Sequence, residues 1–258
     1  SINDVNDPAF LDYDYIRIYE ELVGWQMRSR ASVDALFIGG GGYTFPRYME
    51  AAYPGARIDV VEIDPEVTRV VHEYLGLPRT TSIRSFNEDG RWFVMNSKDK
   101  GRYDFIFGDA FNDLSIPYHL TTREFAQQMK ALLKPDGFLI ANLIDSVTEG
   151  LFLPSYIRTL EDVFGKGNVN LLVLVPELQR LGIATCVVVA SSRKWDMDDF
   201  VRVTGAREGR KRIAHLVPQE KLQEILRNRP AVILTDDYVP VDNLTAPIFE
   251  ARYGYKKK

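Results

Sequence analysis

Val33-Asp34-Ala35-Leu36-Phe37-Ile38-Gly39-Gly40-Gly41-Gly42 runs from an apolar strand directly into four glycines. Ala35 to Ile38 suits a strand buried on both faces of a parallel sheet. Gly39, Gly40, Gly41 and Gly42 allow a tight turn that exposes backbone N–H groups to a ligand. A helix follows over 44–53, then a second apolar strand that delivers Glu62 about 20 residues downstream of the turn, where an acid can accept from both hydroxyls of an adenosine ribose. The next helix starts at once: Asp64 is a good N-cap, Pro65 fits the first helical position, and Glu66 suits the positive end of the dipole. Strand, glycine turn, helix, strand and acid in this order point to a nucleotide site.

The alternation continues along the chain. Strands are expected over 33–39, 57–62, 81–84, 103–108 and 137–143, with helices over 65–75, 88–97, 122–133 and 149–164. Lys134-Pro135-Asp136-Gly137 reads as a turn before the fifth strand. Such alternation predicts a parallel sheet with helices on both faces. Upstream, Tyr15, Ile18, Tyr19, Leu22 and Val23 recur at helical spacing. Residues 1–12 are polar and expected to be loosely held. The runs 169–175 and 183–190 are β-branched and apolar, and about seven residues join them, too few for a crossover helix. They must pair as an antiparallel hairpin. A seven-stranded, mostly parallel sheet closed in this way resembles the α/β methyltransferase-like Rossmann fold, which favours an S-adenosyl sulfonium over a nicotinamide dinucleotide. Beyond it, 196–212 is charged, 218–227 is a short helix and 234–238 an acidic turn. The division expected is an N-terminal segment and amphipathic helix (1–30), a nucleoside-binding catalytic domain (31–192) and an extension packed on it (193–258).

At 258 residues, 45% hydrophobic and 26% charged, the chain can bury a substantial core. The net charge of −4, with no basic stripe, argues against nucleic acid and for a cationic ligand. The single cysteine, Cys186, lies in an apolar run and reads as core. His72, His119 and His215 lack metal-ligand spacing, so no metal is expected. No apolar stretch is long enough to span a bilayer. The start at Ser1, without signal pattern or initiator Met, reads as a trimmed piece, and Tyr253 to Lys258 as a frayed tail.

In open α/β sheets the ligand lies beyond the carboxyl ends of the strands. The residues offered there are the four glycines, Glu62, Asp89 with Gly90, Asp109 and Asn142. Asp89 is either an acceptor for an adenine amino group or a plain helix cap. Asp109, ending Phe105-Ile106-Phe107-Gly108, points to the reactive centre, with Asp113 in the loop beyond. Together they suit binding and deprotonating an amine, although Asp113 reads equally as a solvated acid. Asp236 and Asp237 either extend the acidic wall or are solvated.

Taken in order, residues 39–42, Val61-Glu62-Ile63-Asp64-Pro65, Asp89-Gly90-Arg91-Trp92-Phe93, Tyr103-Asp104-Phe105-Ile106 and Asp109 resemble the spermidine synthase (polyamine aminopropyltransferase) family over about residues 13–192. Tyr118-His119-Leu120-Thr121-Thr122-Arg123-Glu124-Phe125 and 234–240 resemble a bacterial branch whose domain is often fused behind membrane helices. The resemblance implies decarboxylated S-adenosylmethionine as donor and a small polyamine such as putrescine as acceptor. Glu62 would hold the ribose, Asp89 the adenine, and Asp109 would be the base. Tyr19 resembles a tyrosine of the amine pocket, with Tyr15 as rival, and Asp113, Asn142 and Asp237 would complete that pocket. It also implies a cytoplasmic location, free or as the cytosolic part of a membrane-attached parent. Gly42 stands where the family usually carries an Asp, the loop after Asp109 is Ala110-Phe111-Asn112-Asp113, and Glu177-Leu178-Gln179-Arg180-Leu181-Gly182 replaces a tyrosine-bearing segment. The small domain that usually precedes the catalytic one has no room, so a homodimer or monomer is expected rather than a tetramer. Two other readings stay open, a methyltransferase using intact S-adenosylmethionine and a catalytically silent nucleoside- or polyamine-sensing domain.

Overall fold

A computed structural model describes residues 2–30, 32–110, 116–177, 182–206 and 212–254. The strands β1 (Asp34–Ile38), β2 (Arg57–Val61), β3 (Arg84–Phe86), β4 (Tyr103–Gly108), β5 (Leu133–Ser146), β6 (Val169–Val173), β7 (Ile183–Ser191) and β8 (His215–Leu216) form one sheet. Their order is β3-β2-β1-β4-β5-β7-β6-β8. β1 to β5 are parallel, whereas β7 is antiparallel to both β5 and β6. The chain therefore reverses between β1 and β4, the switch point where α/β sheets open a crevice. The expected hairpin closes the sheet, and β8 adds an eighth, two-residue strand against β6.

Side chains of the central strands alternate between two cores, the period-2 consequence of the pleat. Leu36, Ile38 and Ile106 face a layer made by α4 (Gly90–Asn96), α5 (Arg123–Leu132), α6 (Phe152–Phe164) and α8 (Gln219–Arg227). Ala35, Phe37, Phe105 and Phe107 face α1 (Asp14–Met27), α2 (Thr44–Ala52), α3 (Pro65–Tyr74) and α7 (Met197–Gly205). Phe37 and Phe107 stack with centroids 4.5 Å apart. Cys186 is core, as expected, and burial pushes its thiol up to about 12.

Several boundaries depart from expectation for identifiable reasons. β3 begins at Arg84 rather than Thr81, because the Thr81 hydroxyl and the Ser82 amide bond the Glu50 carboxylate instead of a strand. Lys134 to Gly137 is the irregular start of β5 and not a turn; Lys134 Nζ is held by Asp34 and Asp104, and Asp136 by Arg30. β5 also extends to Ser146, since β7 pairs with it from Phe138 onward. α6 starts at Phe152, where Asp145 accepts the Leu153 amide in the manner of a cap. Residues 3 and 4 are tied down: Asn3 Nδ2 donates to Gly42 O at 2.6 Å and Arg47 Nη2 to Asp4 O at 3.2 Å. α7 and α9 (Val241–Tyr253) are further helices: α7 starts at the Asp196 cap within a charged stretch and buries only Phe200 and Thr204, and α9 contains Pro247. Tyr253 thus ends a helix rather than opening a tail, and 255–258 lie outside the described residues.

Candidate functional site

A cavity of about 590 Å³ opens at the carboxyl ends of β1, β2 and β4. Its floor is the glycine turn. Gly39 sits at φ +98°, and a Cβ there would lie 2.6 Å from the Asp109 carbonyl oxygen, so only glycine lets the β1 and β4 ends converge. Gly40 N–H and Gly41 N–H donate to Glu62 Oε2 at 2.9 and 3.2 Å, and Asp64 N–H donates to Oε1 at 3.0 Å. Three of roughly four acceptor positions on the carboxylate are thereby used. The Glu62 charge braces the turn. Gly42 lies outside the cavity wall, its carbonyl capped by Asn3.

Asp89 is both cap and cavity wall. Its Oδ1 accepts the Trp92 amide at 2.9 Å and starts α4, while Oδ2 lies 2.9 Å from His119 Nε2. Burial works against its charge, but the Trp92 amide and His119 outweigh it and hold the carboxyl below its ordinary value. Gly90 packs on Ile38, where a Cβ would meet Cγ2 at 2.5 Å.

The end of β4 supplies Asp109, held by Asn142 Nδ2 donating to Oδ1 at 3.2 Å and Tyr15 OH donating to Oδ2 at 3.4 Å. Burial raises this carboxyl from 3.8 to about 6, against the two hydrogen bonds that lower it. Asn142 Oδ1 is buried without a hydrogen-bond partner among the described residues. Tyr15 lines the cavity, whereas Tyr19 does not. The Tyr19 ring stands behind Tyr15, 5.5 Å away edge-on, and packs on Phe107 at 5.0 Å. Its buried hydroxyl also lacks a partner among the described residues, and burial, followed by Asp109 and Tyr15, raises its pKa well above the ordinary value.

The remaining predicted residues fall elsewhere. Asp237 is exposed and outside the cavity wall. Its neighbour Asp236 pairs with Arg91 on α4. Asp113 lies outside the described residues. Sequence reasoning had no role for His119 or Arg91 beyond their presence in quoted motifs, because a side chain from a loop 30 positions from Asp89 has no periodic signature. Among the described residues no group of three His, Cys, Asp or Glu side chains is arranged to hold a metal, and no helix is long and apolar enough to cross a membrane.

Residues 19–196 match the family model for the spermine/spermidine synthase domain. The chain belongs to the spermine/spermidine synthase family. It is 41% identical over 108 residues to a polyamine aminopropyltransferase of Vibrio vulnificus, covering 42% of this chain and 36% of that protein. The chain spans about a fifth to a half of the length of the curated relatives it matches. Its fold resembles the crystal structure of a probable spermidine synthase from Corynebacterium glutamicum, with a TM-score of 0.72, 21% identity, and coverage of 87% of this chain and 81% of that one. It also resembles human methyltransferase-like protein 13 in complex with SAH, at a TM-score of 0.61, 18% identity, and coverage of 90% and 100%. A shared fold therefore leaves the transferred group to be argued from the site.

Proposed function

We propose that this chain is an aminopropyltransferase of the spermidine synthase type, moving an aminopropyl group from decarboxylated S-adenosylmethionine to a small polyamine such as putrescine. The cavity suits the nucleoside end of that donor. Its volume lies in the range of small-molecule sites, its walls mix Ile63, Val67 and Leu120 with acceptor groups, and the glycine turn offers a close backbone approach. Glu62 is the ribose acceptor in this reading and Asp89 the acceptor for the adenine amino group.

The observation that carries the proposal is the amine end. Asp109 lines the cavity next to Tyr15, and Asn142, which stands outside the cavity wall, orients its carboxylate through Nδ2, so this corner offers a carboxylate acceptor to an incoming group. An ammonium presents only donors and complements it. A carboxyl raised to about 6 is ionised at neutral pH and is closer to amine basicity than an ordinary Asp, which suits a general base. Asp109 takes the extra proton of the ammonium, and the freed nitrogen lone pair attacks the methylene beside the sulfonium. The N–C bond forms, the C–S bond breaks with its electron pair passing to sulfur, and methylthioadenosine leaves. The product nitrogen keeps its two remaining protons as a secondary ammonium, and Asp109 gives up its proton to solvent. Tyr15 orients the Asp109 carboxylate, and Tyr19 supports Tyr15 from behind. Alignment of amine and methylene supplies much of the rate, up to ~7–11 kcal/mol in favourable cases.

Gly42 in place of an acid favours a second reading, in which intact S-adenosylmethionine gives a methyl group to the same amine corner. Incubation with each sulfonium donor and a polyamine mixture, followed by mass spectrometry, decides between them. Aminopropylated amine is the expected product. Methylated amine would replace the proposal with the second reading, and nucleoside binding without any product would make the domain a sensor.

A further inference from the structure

We infer that His119 determines which purine the nucleoside pocket admits, with Arg91 as the positioning residue that sets His119 against Asp89; this rests on the nucleoside reading of the cavity. The Asp89 carboxylate has one oxygen engaged by the backbone, because Oδ1 accepts the Trp92 amide that begins α4. The other oxygen, Oδ2, faces His119 Nε2 at 2.9 Å, and both side chains line the cavity. A carboxylate accepts only, so Nε2 carries the hydrogen of this bond. One lone pair of Oδ2 is then filled, the carboxylate is held in a single orientation, and the remaining lone pair is left for a donor on the ligand. A 6-amino purine supplies such a donor. A 6-oxo purine presents an acceptor there, and two acceptors repel.

His119 is held in place from behind. Arg91, two residues after Asp89 on the first turn of α4, donates from Nη1 to the His119 carbonyl at 2.9 Å and to Thr122 Oγ1 at 3.1 Å. The same guanidinium grips both carboxylate oxygens of Asp236, 145 positions away in sequence. The acidic turn is itself seated on this segment, since Asp236 N–H donates to Glu124 Oε2 at 3.0 Å and Arg123 N–H to Leu234 O at 2.8 Å. Arg91 thus joins α4, the segment carrying His119 and the C-terminal turn at one planar fork, a geometry that a lysine does not reproduce. It touches no ligand in this reading and acts through His119.

The test is calorimetric titration of the intact chain with methylthioadenosine and with methylthioinosine, its 6-oxo counterpart. The unmodified protein is expected to prefer the 6-amino ligand. His119→Ala should reduce the preference ratio about tenfold, the scale of one hydrogen bond to a charged group, and His119→Gln, whose amide N–H can reach the carboxylate, should restore part of it. Arg91→Lys should lower the ratio in the same direction. A purely structural role would weaken both ligands by one common factor, and an unchanged ratio in folded His119→Ala and His119→Gln variants overturns the inference. Absence of methylthioadenosine binding by the unmodified protein overturns the nucleoside reading itself and the inference with it, whereas intact binding with an unchanged ratio overturns the inference alone.

Discussion

Replacing Asp109 by Asn should stabilise the protein while sharply reducing the proposed turnover. Asp109 is half-buried at the cavity wall, and desolvation raises its carboxyl from 3.8 to about 6 despite bonds from Asn142 and Tyr15. A native pKa above the unfolded value means that the folded state binds the extra proton between the two values. The contribution is therefore fully present below about pH 4 and is lost as pH rises through about 6. Above that window the ionised group costs the fold about 3 kcal/mol, the free energy equivalent of the separation between the two values. Asn keeps the shape and both contacts, since its oxygen can accept from Asn142 and its amide can donate to the Tyr15 oxygen. Asp109→Asn should then match the unmodified protein near about pH 4 and exceed it near about pH 8, by roughly 6–12 °C in Tm for a chain of this size. Thermal unfolding of both proteins across that range measures the difference, from which other titrating groups such as Asp145 cancel. A difference that is flat with pH, or an Asn variant that is less stable at neutral pH, would refute a carboxylate held against its charge. In the same experiment turnover should fall by about 10²–10⁴.

Glu62→Gln removes a charged acceptor that braces Gly40, Gly41 and Asp64. Methylthioadenosine affinity should drop by about 1.5–3 kcal/mol, and calorimetry giving an unchanged affinity in a folded variant would take Glu62 out of the site. Gly39→Ala combines positive φ with a Cβ 2.6 Å from the Asp109 carbonyl, whereas Gly55→Ala shares the positive φ with nothing within 4 Å. Denaturant unfolding should show a loss of about 1–3 kcal/mol from backbone strain at either position, with a further loss only at Gly39; equal costs would mean that the β1 and β4 ends are not tightly packed.

Most of the parallel sheet was legible because buried strands and their glycine turns are local signals. Ala35 to Ile38 and Phe105 to Phe107 are apolar throughout, and Asp64-Pro65-Glu66 starts a helix by capping chemistry alone. The hairpin was legible from loop length, since seven residues cannot carry a crossover. Less legible were elements whose boundaries depend on distant partners. β5 gains its last residues only because β7 lies beside them, β3 is shifted by Glu50, α7 depends on the Asp196 cap and the burial of Phe200, and α9 continues through Pro247.

The sequence by itself determined which carboxylates stand at the strand ends, because strand length and polarity place Glu62 and Asp109 there whatever packs around them. Only the tertiary structure decided what each carboxylate does in the site. Glu62 turns to the glycine amides, Asp89 is shared between Trp92 and His119, and Tyr15 rather than Tyr19 reaches Asp109. Tyr15 and Tyr19 occupy the same helix face one turn apart, so periodicity treats them alike. What separates them is the packing of Tyr19 against Phe107 and Phe45, which buries it behind Tyr15 and leaves Tyr15 at the cavity. That packing joins residues far apart in the chain, and such contacts have no local signature.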